Sequence, residues 1–218
     1  MLGKMGYPTY LDGEVVYYPT GKELFAAMLE SLREAKKFVL MEYFILAGGK
    51  MWRELLKLLL EKAEEGVQIK IIYDDFGSIF SLPPRYARYL ESLHENIRCH
   101  AFNKVYPIFS ARYNHRDHRK IFIVDGKVGF TGGINIADEY INEIVKYGHW
   151  KDIALRLEGE AVRELTKLFL VDFGINARKM PVIRDDLYPK TEVKEHGYVI
   201  PFGDGPYPLY HRRVGKSV

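Results

Sequence analysis

His118, Lys120 and Asp125, followed by Gly132, Gly133 and Asn135, stand in the pattern H-x-K-x4-D-x6-G-G-x-N, which occurs once in the 218-residue chain. These groups suit attack on a phosphodiester, which needs a nucleophile, cations for the phosphate oxygens and a proton donor for the leaving alcohol. A neutral imidazole can be that nucleophile, giving a phosphoryl-histidine that water or a second alcohol resolves. On a strand over 118–124 side chains alternate, so His118 and Lys120 share a face and Arg119 takes the other. The apolar run Ile121-Phe122-Ile123-Val124 predicts a strand buried on both faces, with the polar pair at its end. Asp125-Gly126 predicts a tight turn, and residues 127–131 a return strand that completes a hairpin. Gly132-Gly133 would let the backbone approach an anion, and Asn135 would offer an amide donor.

A metal site competes with this reading, because His115 and His118 are three apart and Asp125 follows. Arg112, Arg116, Arg119 and Lys120 crowd the same stretch and would repel a cation. Neither a metal nor any other cofactor is therefore expected.

The elements that must position these groups follow from pattern. A strand over Glu14–Tyr18 precedes the capping box Thr20-Gly21-Lys22-Glu23, which opens a helix reaching Ala35. Phe38–Ile45 predicts a buried strand, Met51–Glu65 a helix ended by Gly66, and Val67–Asp74 a further strand. After Pro83-Pro84 a helix over Arg85–Glu95 and a strand over Ile97–Phe102 are expected. A short helix over 136–146, a strand over Trp150–Leu157 and a helix over Glu160–Phe173 complete the pass; Val162, Leu165, Leu168 and Phe169 form the helix's apolar face. The β-α-β-α-β order favours an α/β fold, a mixed and largely parallel sheet with helices on both faces. Glu42 lies inside an apolar run, where an ionised carboxylate without a partner is costly. It serves either a role close to the site or a structural ion pair.

Composition agrees with a folded domain: hydrophobic residues make up 47% and charged residues 28%, and 218 residues suffice for one sizeable core. A net charge of +3 does not demand a nucleic-acid partner, although residues 112–120 are locally basic. The single cysteine, Cys99, excludes an intrachain disulfide. No run of 18 apolar residues suggests a membrane-spanning helix.

The pattern matches the HKD signature of the phospholipase D superfamily. The flanks Asn114–Lys120 and Thr131–Tyr140 resemble bacterial cardiolipin synthases in particular, as do Glu42-Tyr43-Phe44-Ile45, Gly66–Asp74 and His149-Trp150-Lys151-Asp152. The likeness runs from about Tyr7 to about Pro208.

This resemblance implies His118 as nucleophile, with Lys120 and Asn135 as phosphate ligands. It counts Asp125 among the signature residues but gives it a structural role, bracing strand ends. It places Asp152 as the acidic partner of the His118 imidazole, against the plainer reading of an ion pair with Lys151 or Arg156. It also implies residues 1–180 as the first HKD half and 181–218 as a linker toward a second half beyond Val218, the region 180–218 holding five of the ten prolines. The expected activity is phosphatidyl exchange between two phosphatidylglycerol molecules, at the cytoplasmic side of the bacterial membrane and with peripheral membrane contact. Superfamily enzymes pair two motifs, so a second half in cis or a second copy as homodimer would complete the site. The alternatives are a homodimeric phospholipase D-type nuclease acting on nucleic acid and a catalytically silent half-domain.

Overall fold

The computed structural model describes residues 9–11, 14–103, 116–177 and 198–201. Its centre is a seven-stranded sheet built from β2 (Val15–Tyr18), β3 (Phe38–Tyr43), β4 (Gln68–Asp74), β5 (Ile97–Phe102), β6 (Lys120–Val124), β7 (Val128–Gly132) and β8 (Ala154–Glu158). The spatial order is β2-β8-β7-β6-β3-β4-β5. A separate pair joins β1 (Tyr10–Leu11) to β9 (Tyr198–Val199), the latter inside the stretch expected as linker. The rest of that stretch lies outside the described residues.

The sheet is mixed, as expected, but it is not largely parallel. Pairings β3–β4 and β4–β5 are parallel, and the other four are antiparallel. Parallel neighbours need a crossover of helix length, which α2 (Lys50–Glu64) and α4 (Tyr86–Leu93) provide. The chain then reverses at a turn after β6. Asp125 and Gly126 both adopt left-handed backbone (φ 54 and 67), the type I′ pattern, and the Lys127 N–H donates to the Val124 carbonyl at 3.0 Å.

Strand alternation divides the core between two faces. Val39, Met41 and Tyr43 pack with Met28 and Leu32 of α1 (Gly21–Arg33) and with Leu55 and Leu59 of α2. Phe38 and Leu40 face the other way, against Val162, Leu165, Phe169 and Leu170 of α5 (Ala161–Asn176). Each such side chain contributes about 1.5–3 kcal/mol on burial, and all six residues of β3 are buried.

Helix starts show how distant residues complete local signals. Thr20 caps α1 as the sequence predicts, its Oγ1 accepting from the Glu23 N–H at 3.3 Å. By contrast, α2 begins at Gly49 with no side-chain cap of its own. Asp138 supplies one from across the fold, accepting from the Lys50 and Met51 N–H groups at 2.8 and 2.9 Å. The helix expected over 136–146 shrinks to a 3-10 turn, Asp138–Ile141, because Asn142 turns left-handed (φ 56) and ends it.

Candidate active site

The C-terminal ends of β3 and β4 meet the start of β6 and the end of β7 at one edge of the sheet. Pairing of Tyr43 with Lys120 puts the two on a common face, toward α1 and α2, while Glu42 and its partner Ile121 face α5. The expected alternation holds: the His118 ring lies 5.0 Å from the Phe44 ring, Lys120 Nζ lies 5.5 Å from that same ring, and Arg119 points to the opposite side, where Glu42 lies.

Lys120 is 4% exposed, and its ammonium donates to the His118 carbonyl at 2.7 Å. Burial pushes its pKa down to about 8, opposed by the charges of Asp117 and Asp152. His118 is exposed at the rim, yet its pKa is also lowered, first by partial desolvation and then by the Lys120 charge; Asp117 and Asp74 oppose the shift. A neutral imidazole beside a cation is the pairing that nucleophilic attack on a phosphodiester requires.

Asn135 is 3% exposed and held at both ends of its amide. Its Oδ1 accepts from the Ile45 N–H at 3.0 Å, and its Nδ2 donates to the Tyr140 hydroxyl at 2.8 Å. The second Nδ2 hydrogen is the one left for a phosphate oxygen. Gly132 and Gly133 sit otherwise than their type suggests. A Cβ on Gly132 would meet the Ile153 carbonyl oxygen at 2.4 Å, and one on Gly133 would meet Asp152 Oδ1 at 2.1 Å. The Gly133 N–H donates to the Ile153 carbonyl at 3.1 Å, so the close backbone approach is to residues 152–154.

Those glycines bring Asp152 to the site edge, where its charge acts on Lys120 and Tyr140. Asp152 Oδ1 accepts from the Ile153 N–H at 2.8 Å, and no hydrogen bond joins Asp152 to His118 among the described residues. Nor does the ion pair with Lys151 or Arg156 form, Arg156 pairing with Glu158 instead. Asp125 is placed at the far end of β6, about 20 Å along the strand from His118 at roughly 3.3 Å per residue. Its carboxylate accepts from the Lys36, Lys37 and Phe38 N–H groups at 2.9, 2.7 and 2.9 Å, tying the hairpin to the start of β3. Asp125 is therefore remote from any phosphate held by His118, and a metal bound jointly by the two is ruled out by this separation. His115 lies outside the described residues.

Several supporting residues escape sequence reasoning. Asp74 at the end of β4 is fully buried; it caps α3 (Asp75–Ser78) through the Phe76 and Gly77 N–H groups at 2.9 and 3.0 Å. The same carboxylate accepts from the Asp117 N–H at 3.2 Å and from Arg116 Nη1 at 3.4 Å, anchoring the approach to His118. Below His118, Arg119 lies among Glu42, Asp117 and Asp172. Tyr140 stacks on Trp150, with ring centroids 4.5 Å apart, and Asn142 clamps Trp150 by reciprocal bonds to its backbone at 2.9 and 2.7 Å. The available signal was the aromatic and acidic content of Glu42-Tyr43-Phe44 and of 139–152; the partners are fixed by topology.

Residues 28–169 match the family described as cardiolipin synthase, PLD-like domain. The chain is 41% identical over 216 residues to an uncharacterized protein of Streptococcus mutans, an alignment covering 98% of this chain and 45% of that one. Cardiolipin synthase 2 of Bacillus anthracis is 38% identical over 178 residues, 81% of this chain and 34% of its own length. Among solved structures, phosphatidylserine synthase of Haemophilus influenzae superposes with a TM-score of 0.62 over 91% of this chain and 49% of that one; at 16% identity this is a likeness of fold. The chain thus spans less than half the length of each of these three proteins. With a mixed sheet that sets the His-x-Lys pair at one strand end and this match over residues 28–169, the chain belongs to the phospholipase D superfamily, in the PLD-like domain family of cardiolipin synthases.

Proposed function

We propose that this chain supplies one catalytic half of a phosphatidyltransferase that makes cardiolipin from two phosphatidylglycerol molecules. Residues 1–180 form the HKD half, and 181–218 lead toward a second half in cis. The observation that carries the reading is the neutral-leaning His118 with the buried, cationic Lys120 on one face of the strand end.

A ring nitrogen of His118 attacks phosphorus, the N–P bond forming as the P–O bond to glycerol breaks. Lys120 and the free Asn135 N–H hold the non-bridging oxygens. The leaving alkoxide takes a proton from the histidine of the second motif. That base then deprotonates the hydroxyl of a second phosphatidylglycerol, whose oxygen displaces His118 and restores it. Two phosphatidylglycerols become one cardiolipin and one glycerol, and all protons are returned.

A lipid substrate is favoured by the apolar side chains around this edge. Phe80 is 99% exposed, Val145 82% and Tyr147 71%, on the segments that follow β4 and Asn142. Such tips suit the headgroup region of a bilayer, with contact from the cytoplasmic side. Among the described residues no helix is long and apolar enough to cross a membrane.

The test is cardiolipin formation by the full-length protein on phosphatidylglycerol vesicles. His118→Ala is expected to abolish it, and wild-type rates in that variant would remove His118 from the chemistry. Chelator-resistant cleavage of DNA by the same preparation, without cardiolipin, would replace the lipid reading by a nuclease.

A further inference from the structure

Behind the nucleophile lies a cluster that the phosphoryl chemistry does not use. Glu42 comes from β3, Asp117 and Arg119 from the strand's approach, and Asp172 from α5. Arg119 Nη1 bonds Asp172 and lies 3.5 Å from Glu42 Oε1, and its Nε is 3.6 Å from Asp117 Oδ1. Among the described residues of this cluster, three carboxyls against one guanidinium leave two net negative charges if all are ionised. Asp74, which accepts from the Asp117 N–H, is engaged with Arg116, while His118 and Lys120 face away on the other side of the strand.

Solvent cannot offset that excess. Glu42 is 0% exposed, and among the described residues neither of its carboxyl oxygens has a hydrogen-bond donor; Asp117 Oδ2 is buried and equally without one. An ionised carboxylate so placed carries a desolvation cost of several kcal/mol. One proton between the two carboxyls satisfies an orphaned atom on each and halves the net charge. Asp117 is the better anion of the two, since its Oδ1 already accepts from the Arg119 N–H at 3.1 Å. Burial first, and then the Asp117 charge and hydrogen bond, push the Glu42 carboxyl well above the usual carboxylate range; Arg119 opposes this.

We propose that Glu42 is a neutral carboxylic acid donating its proton to the Asp117 carboxylate, and that this shared proton fixes a single negative charge behind His118. Glu42 is then a positioning residue: it touches no substrate and acts through Asp117. Asp117 in turn faces Arg119 on the hidden side, and its charge reaches both His118 and Lys120. This proposal rests on His118 as the nucleophile, though its test does not depend on turnover.

The test is NMR on the intact chain carrying carboxyl-labelled glutamate and ring-labelled histidine. One glutamate carboxyl is expected to keep the acid form at pH 7, where an ordinary glutamate is ionised, and to vanish in Glu42→Gln. His118 should titrate at the same midpoint in Glu42→Gln as in the wild type, because the amide replaces a neutral acid. If every glutamate is a carboxylate at neutral pH, or if Glu42→Gln lowers the His118 midpoint as loss of a negative charge would, the shared proton is refuted. Should Glu42→Gln fail to fold, the wild-type spectrum decides alone, with Glu42→Asp assigning the signal. A fully active His118→Ala would overturn the nucleophile and leave these readouts untouched.

Discussion

In the proposed chemistry His118 must be neutral to attack and Lys120 must be charged to hold the phosphate, and burial works on both in the same direction. Lowering the imidazole pKa frees the nucleophile at neutral pH, while lowering the ammonium to about 8 brings the loss of the cation close above it. The signs give a bounded window. As pH rises through the His118 pKa the reactive fraction grows; as it rises through about 8 Lys120 loses its proton and its hold on phosphate. Affinity of the chain for a dialkyl phosphodiester, whose single charge does not titrate here, should therefore fall by about tenfold per pH unit above that point. Calorimetry across the alkaline range checks this, and Lys120→Arg should flatten the fall, since guanidinium stays charged. Constant affinity in the wild type would show that Lys120 does not carry the phosphate. The identity and shared face of His118 and Lys120 were legible in the sequence because strand alternation is a local rule. The Arg119 cluster was not, since its members are separated by up to 130 positions, from Glu42 to Asp172.

At the scale of elements, the hairpin β6–β7 presents the site only if its far end is fixed. Asp125 fixes it, holding three backbone N–H groups of residues 36–38 at 2.7–2.9 Å. Asp125→Ala should orphan those donors and cost about 2–4 kcal/mol of stability, measured by denaturant unfolding. Under conditions where the variant is folded, phosphodiester affinity should match the wild type; a specific loss of affinity without loss of stability would return Asp125 to the chemistry. The turn itself was legible, because Asp-Gly after four apolar residues is a hairpin signal, and so were α1 with its Thr20 cap and the strand Ile97–Phe102. Three features were not legible, for separate reasons. α3 spans four residues and leans on a strand-terminal Asp74, too short for periodicity to register. Asp138, inside the stretch 136–146 expected as a short helix, is spent on capping α2. The antiparallel half of the sheet depends on where β8 and β2 dock, and no local pattern states that.

The whole molecule poses a question of stoichiometry, since H-x-K-x4-D occurs once in 218 residues and a phosphodiester exchange that leaves an alkoxide needs an acid as well as a nucleophile. An aryl phosphodiester separates the two requirements. Its leaving phenolate is stable without protonation, so His118 of a lone chain can displace it, whereas an alkyl ester of the same charge stays intact. Return of the phosphoryl group to water needs a base, and His118 is occupied in the intermediate. The monomeric chain is therefore expected to release no more than about one equivalent of phenolate per chain in a burst, with label held on His118, and to leave the alkyl diester unchanged. Sedimentation in the same buffer establishes the monomer, and absorbance gives the burst amplitude. Two copies pairing through their site edges would supply both histidines, so turnover that rises with the square of protein concentration would assign the acid to a second copy. Sustained turnover of the alkyl diester at a rate proportional to chain concentration, in a preparation that is monomeric throughout, would show that the chain carries its own acid and would end the two-motif requirement.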